Sequence, residues 1–322
     1  MLDMSSTLRA EHADLIQGVS RAYSTLIEMS YLNQEDVHFP QPGVDISQAA
    51  KDHLQRAGFE EDAITLCQLF PALKTQLIEK WSWLGDGIPI APGSQAVSYL
   101  VNSVPNVQDM RFTRNGEVEI AQNDFKIARC GTSVGADRVY RFAEKSLEVL
   151  PLNCDDSDGP QSHQQPIADA LGDWHSKFHD LEWIPWSDDN GMYIEERPME
   201  WENDQADPGS ARSMLQLQHT AWQQAGLPMA QISVEQLLEQ HVERTKAEHN
   251  KFWAKKRIYQ DAGWPDAFDA AQVRRKRDEW NQQYSDVTDL YRHGPQAARY
   301  WELQHGHGLR EMFKTSAGRY AV

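Results

Sequence analysis

The chain has 322 residues with 48 acidic and 31 basic side chains, a formal net charge of −17. This length accommodates one large domain or two ordinary ones, and 40% hydrophobic residues with eleven tryptophans exclude a wholly disordered chain. The charge is concentrated in residues 144–207, where seventeen acidic and three basic side chains leave a balance of about −14, a field that repels phosphate backbones and makes nucleic acid an unfavoured partner.

Cys67, Cys130 and Cys154 are widely spaced and form no CxxC pair, the usage of a reducing compartment. No apolar run approaches the roughly 18 residues that span a bilayer, and the N-terminal stretch carries charges where a secretory signal needs its apolar segment. The expectation is a soluble cytoplasmic protein without membrane contact.

In chain order, residues 6–32 place Leu8, Leu15, Val19, Ala22, Leu26 and Met29 on one helical face, with Arg9, Glu11, Asp14, Arg21 and Glu28 away from it, so the pattern predicts one helix. Pro40 and Pro42 then force an extended stretch, since two prolines in three residues exclude a helix. A short helix over 47–57, capped by Ser47 and stopped by Gly58, precedes another over 60–70 that buries Ile64 and Cys67 and ends at Pro71.

The periodicity changes over residues 81–152. Residues 81–93 are turn-rich, while FKIARC (125–130) and VYRF (139–142) alternate in the manner of half-buried strands. GTSVGAD (131–137) suits a hairpin loop between them, and residues 147–152 read as a further strand. The predicted class is α+β, with a central antiparallel sheet flanked by helices and a helical C-terminal extension.

Residues 153–165 (NCDDSDGPQSHQQ) read as a solvated loop, and residues 168–186 (ADALGDWHSKFHDLEWIPW) form the stretch around which the chain is organised. Leu171, Trp174, Phe178 and Leu181 share a helical face, Asp173, Lys177 and Asp180 stay wet, and Pro185 ends the helix near Trp183. Burying those four apolar side chains contributes about 6–12 kcal/mol before conformational entropy is subtracted. Residues 191–232 are expected to be an irregular acidic linker or excursion, separating an α+β domain over 1–190 from a helical region over 233–322.

In that region Ser233 is a good N-cap, and Glu235, Glu239 and Glu243 early with Lys255, Lys256 and Arg257 late suit the helix dipole. Gly263, Trp264, Pro265 and Asp266 mark a sharp break, residues 268–291 a second long helix, and residues 295–313 a third, interrupted by glycines beside His305 and His307.

Three patches look familiar: residues 23–32 (YSTLIEMSYL) followed by the Pro-Gln-Pro segment, residues 181–185 (LEWIP), and residues 258–266 (IYQDAGWPD). Together they resemble a group of fungal proteins distantly similar to the Smi1/Knr4 (SUKH) superfamily, in patches over residues 20–290. The resemblance implies an α+β domain with a central antiparallel sheet used as an interaction module; bacterial members neutralise toxins and the yeast member regulates cell-wall signalling. It implies no fixed catalytic residues.

Candidate chemical clusters each have a plainer reading. Asp155, Asp156 and Asp158 look like a magnesium-binding carboxylate set, but Gly159 and Pro160 prevent the helix such a set projects from. His175 and His179 have the i, i+4 spacing of a zinc pair, but no Glu follows the first histidine and both border an apolar face. His305 and His307 are two imidazoles without a third ligand. Residues 131–135 lack the GK[ST] ending of a phosphate loop. No cofactor and no metal are therefore expected. The basic clusters at 251–257 and 274–277 are either solvated faces paired with nearby acids or a site for an anionic partner.

The first functional expectation is a non-catalytic protein-interaction or regulatory module of Smi1/Knr4-like type. Its partner is a protein, with a basic one favoured by charge, and Asp188, Asp189, Glu195 and Glu196 are the candidate contact residues. The competing class is an enzyme of fungal specialised metabolism, with a Trp-lined pocket and carboxylates such as Asp155, Asp156, Asp188 and Asp189.

Overall fold

The computed structural model of the chain describes residues 4–40, 48–74, 87–99, 110–112, 119–131, 135–151, 162–188, 191–198, 208–224 and 232–293. The chain divides into two compact units, Met1–Arg197 with Ala262–Val273, and Pro198–Asp261 with Arg274–Val322.

The first unit is α+β. Its N-terminal region holds helices α1 (Met4–Glu11), α2 (Ala13–Glu28), α3 (Gln48–Arg56) and α4 (Glu61–Cys67), with short strands β1 (Val37–His38) and β2 (Ala72–Leu73) paired antiparallel. The single helix expected over 6–32 divides at His12, whose φ of −115° and ψ of 30° leave the helical range. Backbone hydrogen bonds from His12 to Leu8 and from Ile16 to His12 carry the chain across the break. The cause is the side chain: His12 is buried, with Nδ1 2.6 Å from the Tyr140 hydroxyl in the sheet.

That sheet has six antiparallel strands in sequential order: β3 (Pro89–Ala91), β4 (Ser94–Ala96), β5 (Phe125–Cys130), β6 (Ala136–Arg141), β7 (Ser146–Pro151) and β8 (His163–Pro166). The strands expected over 125–130, 139–142 and 147–152 correspond to β5, β6 and β7. The turn-rich residues 81–93 also contribute β3, and the expected loop over 153–165 contributes β8, an edge strand without apolar alternation.

Because side chains alternate across a strand, the register sorts the sheet into two faces. Phe125, Tyr140 and Leu147 lie opposite one another and are fully buried; Phe125 stacks on Phe70 of the helical layer at 5.7 Å. Lys126, Val139 and Glu148 share the other face, where charges are paired. Lys126 Nζ is 2.9 Å from Asp137 Oδ2, with both side chains only 3% exposed, and the Cys130 amide donates to Asp137 Oδ1. Arg141 joins Asp124 at 2.8 Å and also Glu148. A buried pair adds little net stability, but leaving either member alone there costs about 3–5 kcal/mol, so the register is guarded.

Helix α5 (Ile167–His179) buries Ile167, Ala170, Leu171, Trp174 and Phe178 as its spacing predicts. It stops at His179, earlier than expected, because Leu181 turns into the left-handed region with φ 54°. The following Trp-Ile-Pro-Trp run is strand β9 (Trp183–Asp188), all four side chains buried, paired antiparallel with β10 (Gly191–Glu196). The stretch expected to be an irregular linker over 191–232 therefore contains β10 and a helix. Gly191, at φ 131°, opens the returning strand in a conformation that other residues avoid.

Helix α5 packs against α2 through Gly18. A Cβ there would lie 2.5 Å from Leu171 Cδ1 and 2.7 Å from Leu171 Cβ. The turn over 262–267 also belongs to this unit: the Trp264 indole donates to the His179 carbonyl at 3.0 Å, and Gly263, at φ 83°, has no room for a Cβ beside the Ala267 carbonyl.

The second unit contains α6 (Pro208–Gln224) and α7 (Val234–Asp261), joined by a cluster of Leu215, Val234 and Leu237 with Ile232 and Leu238. Ser233 caps α7 reciprocally with Gln236, as its type suggests. Helix α8 (Ala270–His293) begins on Asp269, which accepts from the amides of Ala271 and Gln272, and continues into the second unit. The third helix expected over 295–313 lies outside the described residues, as do Ser47, Cys154, Asp155, Asp156, Asp158, Asp189, His305 and His307. Among the described residues no helix is long and apolar enough to cross a membrane.

Replacing Gly18 by Ala tests the α2–α5 contact. Helix propensity alone favours Ala by about 1 kcal/mol, but the forced separation of the helices costs about 1–3 kcal/mol, so net destabilisation in urea is expected. A stabilised Gly18→Ala protein would show that the helices do not meet at this point.

Candidate interaction surface

The β9–β10 register decides how the predicted carboxylates are arranged. Trp183 lies opposite Glu196, Ile184 opposite Glu195 and Asp188 opposite Gly191. Glu195 and Asp188 therefore share one face with Ile184, Trp186 and Tyr193, about 13 Å apart along the strand direction. Glu196 points to the other face. Asp188 is half-buried and accepts from the Tyr193 hydroxyl at 3.2 Å, while Glu196 accepts from the Trp183 indole at 3.2 Å. The hairpin thus brings Asp188 and Glu195 to one side and separates Glu196 from them.

Glu196 belongs instead to a cluster of aromatic and charged side chains contributed by β6, α5, β9 and β10. The Arg138 guanidinium lies over the Trp174 ring, 5.0 Å from its centroid, and the Trp174 and Trp183 centroids are 6.0 Å apart. Lys177 Nζ sits 5.0 Å from the Trp183 centroid and pairs with Asp173 at 3.0 Å. Phe178 meets Trp183 edge-on at 5.4 Å. Arg138 Nε donates to Ser94 Oγ at 3.1 Å, and Ser94 in turn donates to the Ala136 carbonyl. Burial pushes Arg138 down to about 10, and the carboxylates of Glu196 and Asp173 restore it only in part; it remains a cation at neutral pH.

The helix spacing singles out Trp174 and Phe178 at sequence level, but not Arg138. One signal was available: Arg138 and Tyr140 have the same parity in β6, so a strand reading places the arginine on the apolar face.

The other candidates occupy plainer positions. His175 and His179 are neighbours with ring centroids 6.1 Å apart; His175 Nδ1 lies 3.4 Å from Thr25 Oγ1 and His179 Nδ1 lies 2.9 Å from Asp180 Oδ1. Among the described residues no three His, Cys, Asp or Glu side chains are grouped to hold a metal ion. Gly135 serves a close approach of backbones, since a Cβ would stand 2.0 Å from the Gly93 carbonyl oxygen. In the basic clusters, Lys255 is buried, Lys256 lies over Trp253 at 5.4 Å and Lys276 pairs with Glu279 at 2.8 Å.

His12 is a buried titratable group that sequence reading missed. Its Nδ1 is held by Tyr140, while Nε2 is buried without a hydrogen-bond partner. Burial lowers its pKa first and Lys145 adds to this, against smaller opposing effects from Glu11 and Asp62.

No family model, curated protein or solved structure matches the chain.

The lowered pKa of His12 carries a sign. Below its ordinary value of 6.5 the unfolded chain binds a proton that the folded chain does not, so stability is complete above that pH and declines as pH falls toward the folded value. Urea denaturation of wild type and His12→Gln at pH 7.5 and 5.5 measures this. Wild type is expected to lose more stability on acidification than His12→Gln; equal losses would remove His12 from the acid limb.

Proposed function

We propose that the chain is a cytoplasmic, non-catalytic protein-interaction or regulatory module of Smi1/Knr4-like type, which engages a cationic protein through the acidic surface of α5, β9 and β10. The observation that supports this reading most is the charge of three consecutive, mutually packed elements. Residues 169–196 hold eight acidic side chains and one basic one, and Asp169, Asp173, Asp180 and Glu196 are exposed. Lys126, Arg111 and Arg141 elsewhere in the first unit are engaged in pairs of their own. Such a field raises the encounter rate with a cationic surface and reaches about 8 Å at physiological ionic strength.

The test is affinity purification with the wild-type chain as bait, followed by association kinetics with the recovered protein. Raising salt from about 50 to 300 mM is expected to slow association several-fold, and neutralising Asp188, Asp189, Glu195 and Glu196 together to slow it further with little effect on dissociation. Folding should survive amide substitutions at these positions, since the Asp188 and Glu196 side chains each accept one hydrogen bond that an amide oxygen can also accept. A partner whose association rate ignores both changes rules out this surface.

A further inference from the structure

Two contacts position the half-buried Arg138: its guanidinium lies over the Trp174 ring and its Nε–H donates to Ser94 Oγ. Among the described residues no side chain or carbonyl accepts from its two Nη groups. The two carboxylates that influence it are otherwise engaged, Glu196 with the Trp183 indole and Asp173 with Lys177. A guanidinium oriented in this way, and incompletely compensated for the water it has lost, presents the two-pronged donor that matches a planar anion.

We propose that Arg138 is a recognition site for one carboxylate group brought by a ligand, received by its two Nη groups beside the paired rings of Trp174 and Trp183. The chemistry selects a carboxylate over a phosphate. A carboxylate is planar, matches the fork and adds one negative charge, whereas a phosphate brings nearly two charges into the field of Glu196 and Asp173. The flanking indoles favour an acid with an apolar body, and both a free organic acid and a glutamate side chain of a protein meet that description. The site adjoins the acidic surface and shares Glu196 and Asp173 with it, but it requires a negative rather than a positive group, and small probes test it without any protein partner.

The full chain labelled with 15N-arginine is titrated with sodium acetate, with inorganic phosphate and with the peptide N-acetyl-Ala-Glu-Ala-amide, replacing sodium chloride so that ionic strength stays constant. The Arg138 Nε–H resonance, identified by its loss in Arg138→Lys, is expected to move saturably with acetate and with the peptide. Loss of the fork in Arg138→Lys is expected to weaken acetate binding, followed by tryptophan fluorescence, about tenfold although the charge is kept. Glu196→Gln is expected to tighten it by removing a competing charge. Peptide binding tighter than acetate identifies a protein side chain as the source, and the reverse identifies a free organic acid. Absence of a saturable shift in any arginine Nε–H resonance of the wild-type chain overturns the proposal, even if Arg138→Lys does not fold. So does tighter binding of phosphate. Acetate binding confined to Glu196→Gln also overturns it, because the chain's own carboxylate would then fill the fork.

Discussion

The contact between the Arg138 guanidinium and the Trp174 indole is the directional link between the sheet and α5 in the first unit. Through it β6 meets α5, and the same Trp174 ring lies tilted against Trp183 of β9 with centroids 6.0 Å apart. A cation over an indole contributes about 0.5–1 kcal/mol where water competes and about 2 kcal/mol or more where it is excluded. Apolar burial of Trp174 contributes more, but is not directional. The cation supplies the direction. It relates one turn of α5 to β6, while the close packing of the helix is against α2, where Leu171 meets Gly18.

A strongly acidic chain keeps cations inside its sheet by two means, carboxylate pairs on one face and an aromatic ring on the other. One face of the sheet is aromatic and faces helices, through Phe125, Tyr140 and Phe70. The other carries Lys126 with Asp137 and Arg141 with Asp124 and Glu148. Lys126 and Arg141 are thus committed to neighbouring carboxylates, while Asp169, Asp173, Asp180 and Glu196 are exposed on α5 and the hairpin. Arg138 differs from the paired cations in that aromatic rings and a hydroxyl hold it, rather than a carboxylate.

Several elements were legible because one face is buried and the other is not. Helix α5 shows its period directly, strand β5 shows a Phe-Lys-Ile alternation in sequence although its first four side chains are all buried, and Ser233 announces the start of α7. Elements that depart from this condition were hidden. Strand β8 is an edge of exposed glutamines and histidine, so no alternation marks it. Strand β9 is buried on both faces, and a short continuous apolar run does not distinguish a strand from a helix end. Strand β10 ends in two glutamates, which read as a solvated linker until pairing with β9 is known. The carboxylate set was likewise legible in composition but not in arrangement, although adjacent residues such as Glu195 and Glu196 must point to opposite faces once the segment is a strand.

A double-mutant cycle on Arg138 and Trp174 measures the organising contact most directly. Urea denaturation of wild type, Arg138→Met, Trp174→Leu and the double variant gives the coupling between the two side chains. If the guanidinium and the indole act as a unit, the double variant is less destabilised than the sum of the single ones, by about 0.5–2 kcal/mol. Destabilisations that add to within about 0.3 kcal/mol would contradict the central role of this contact.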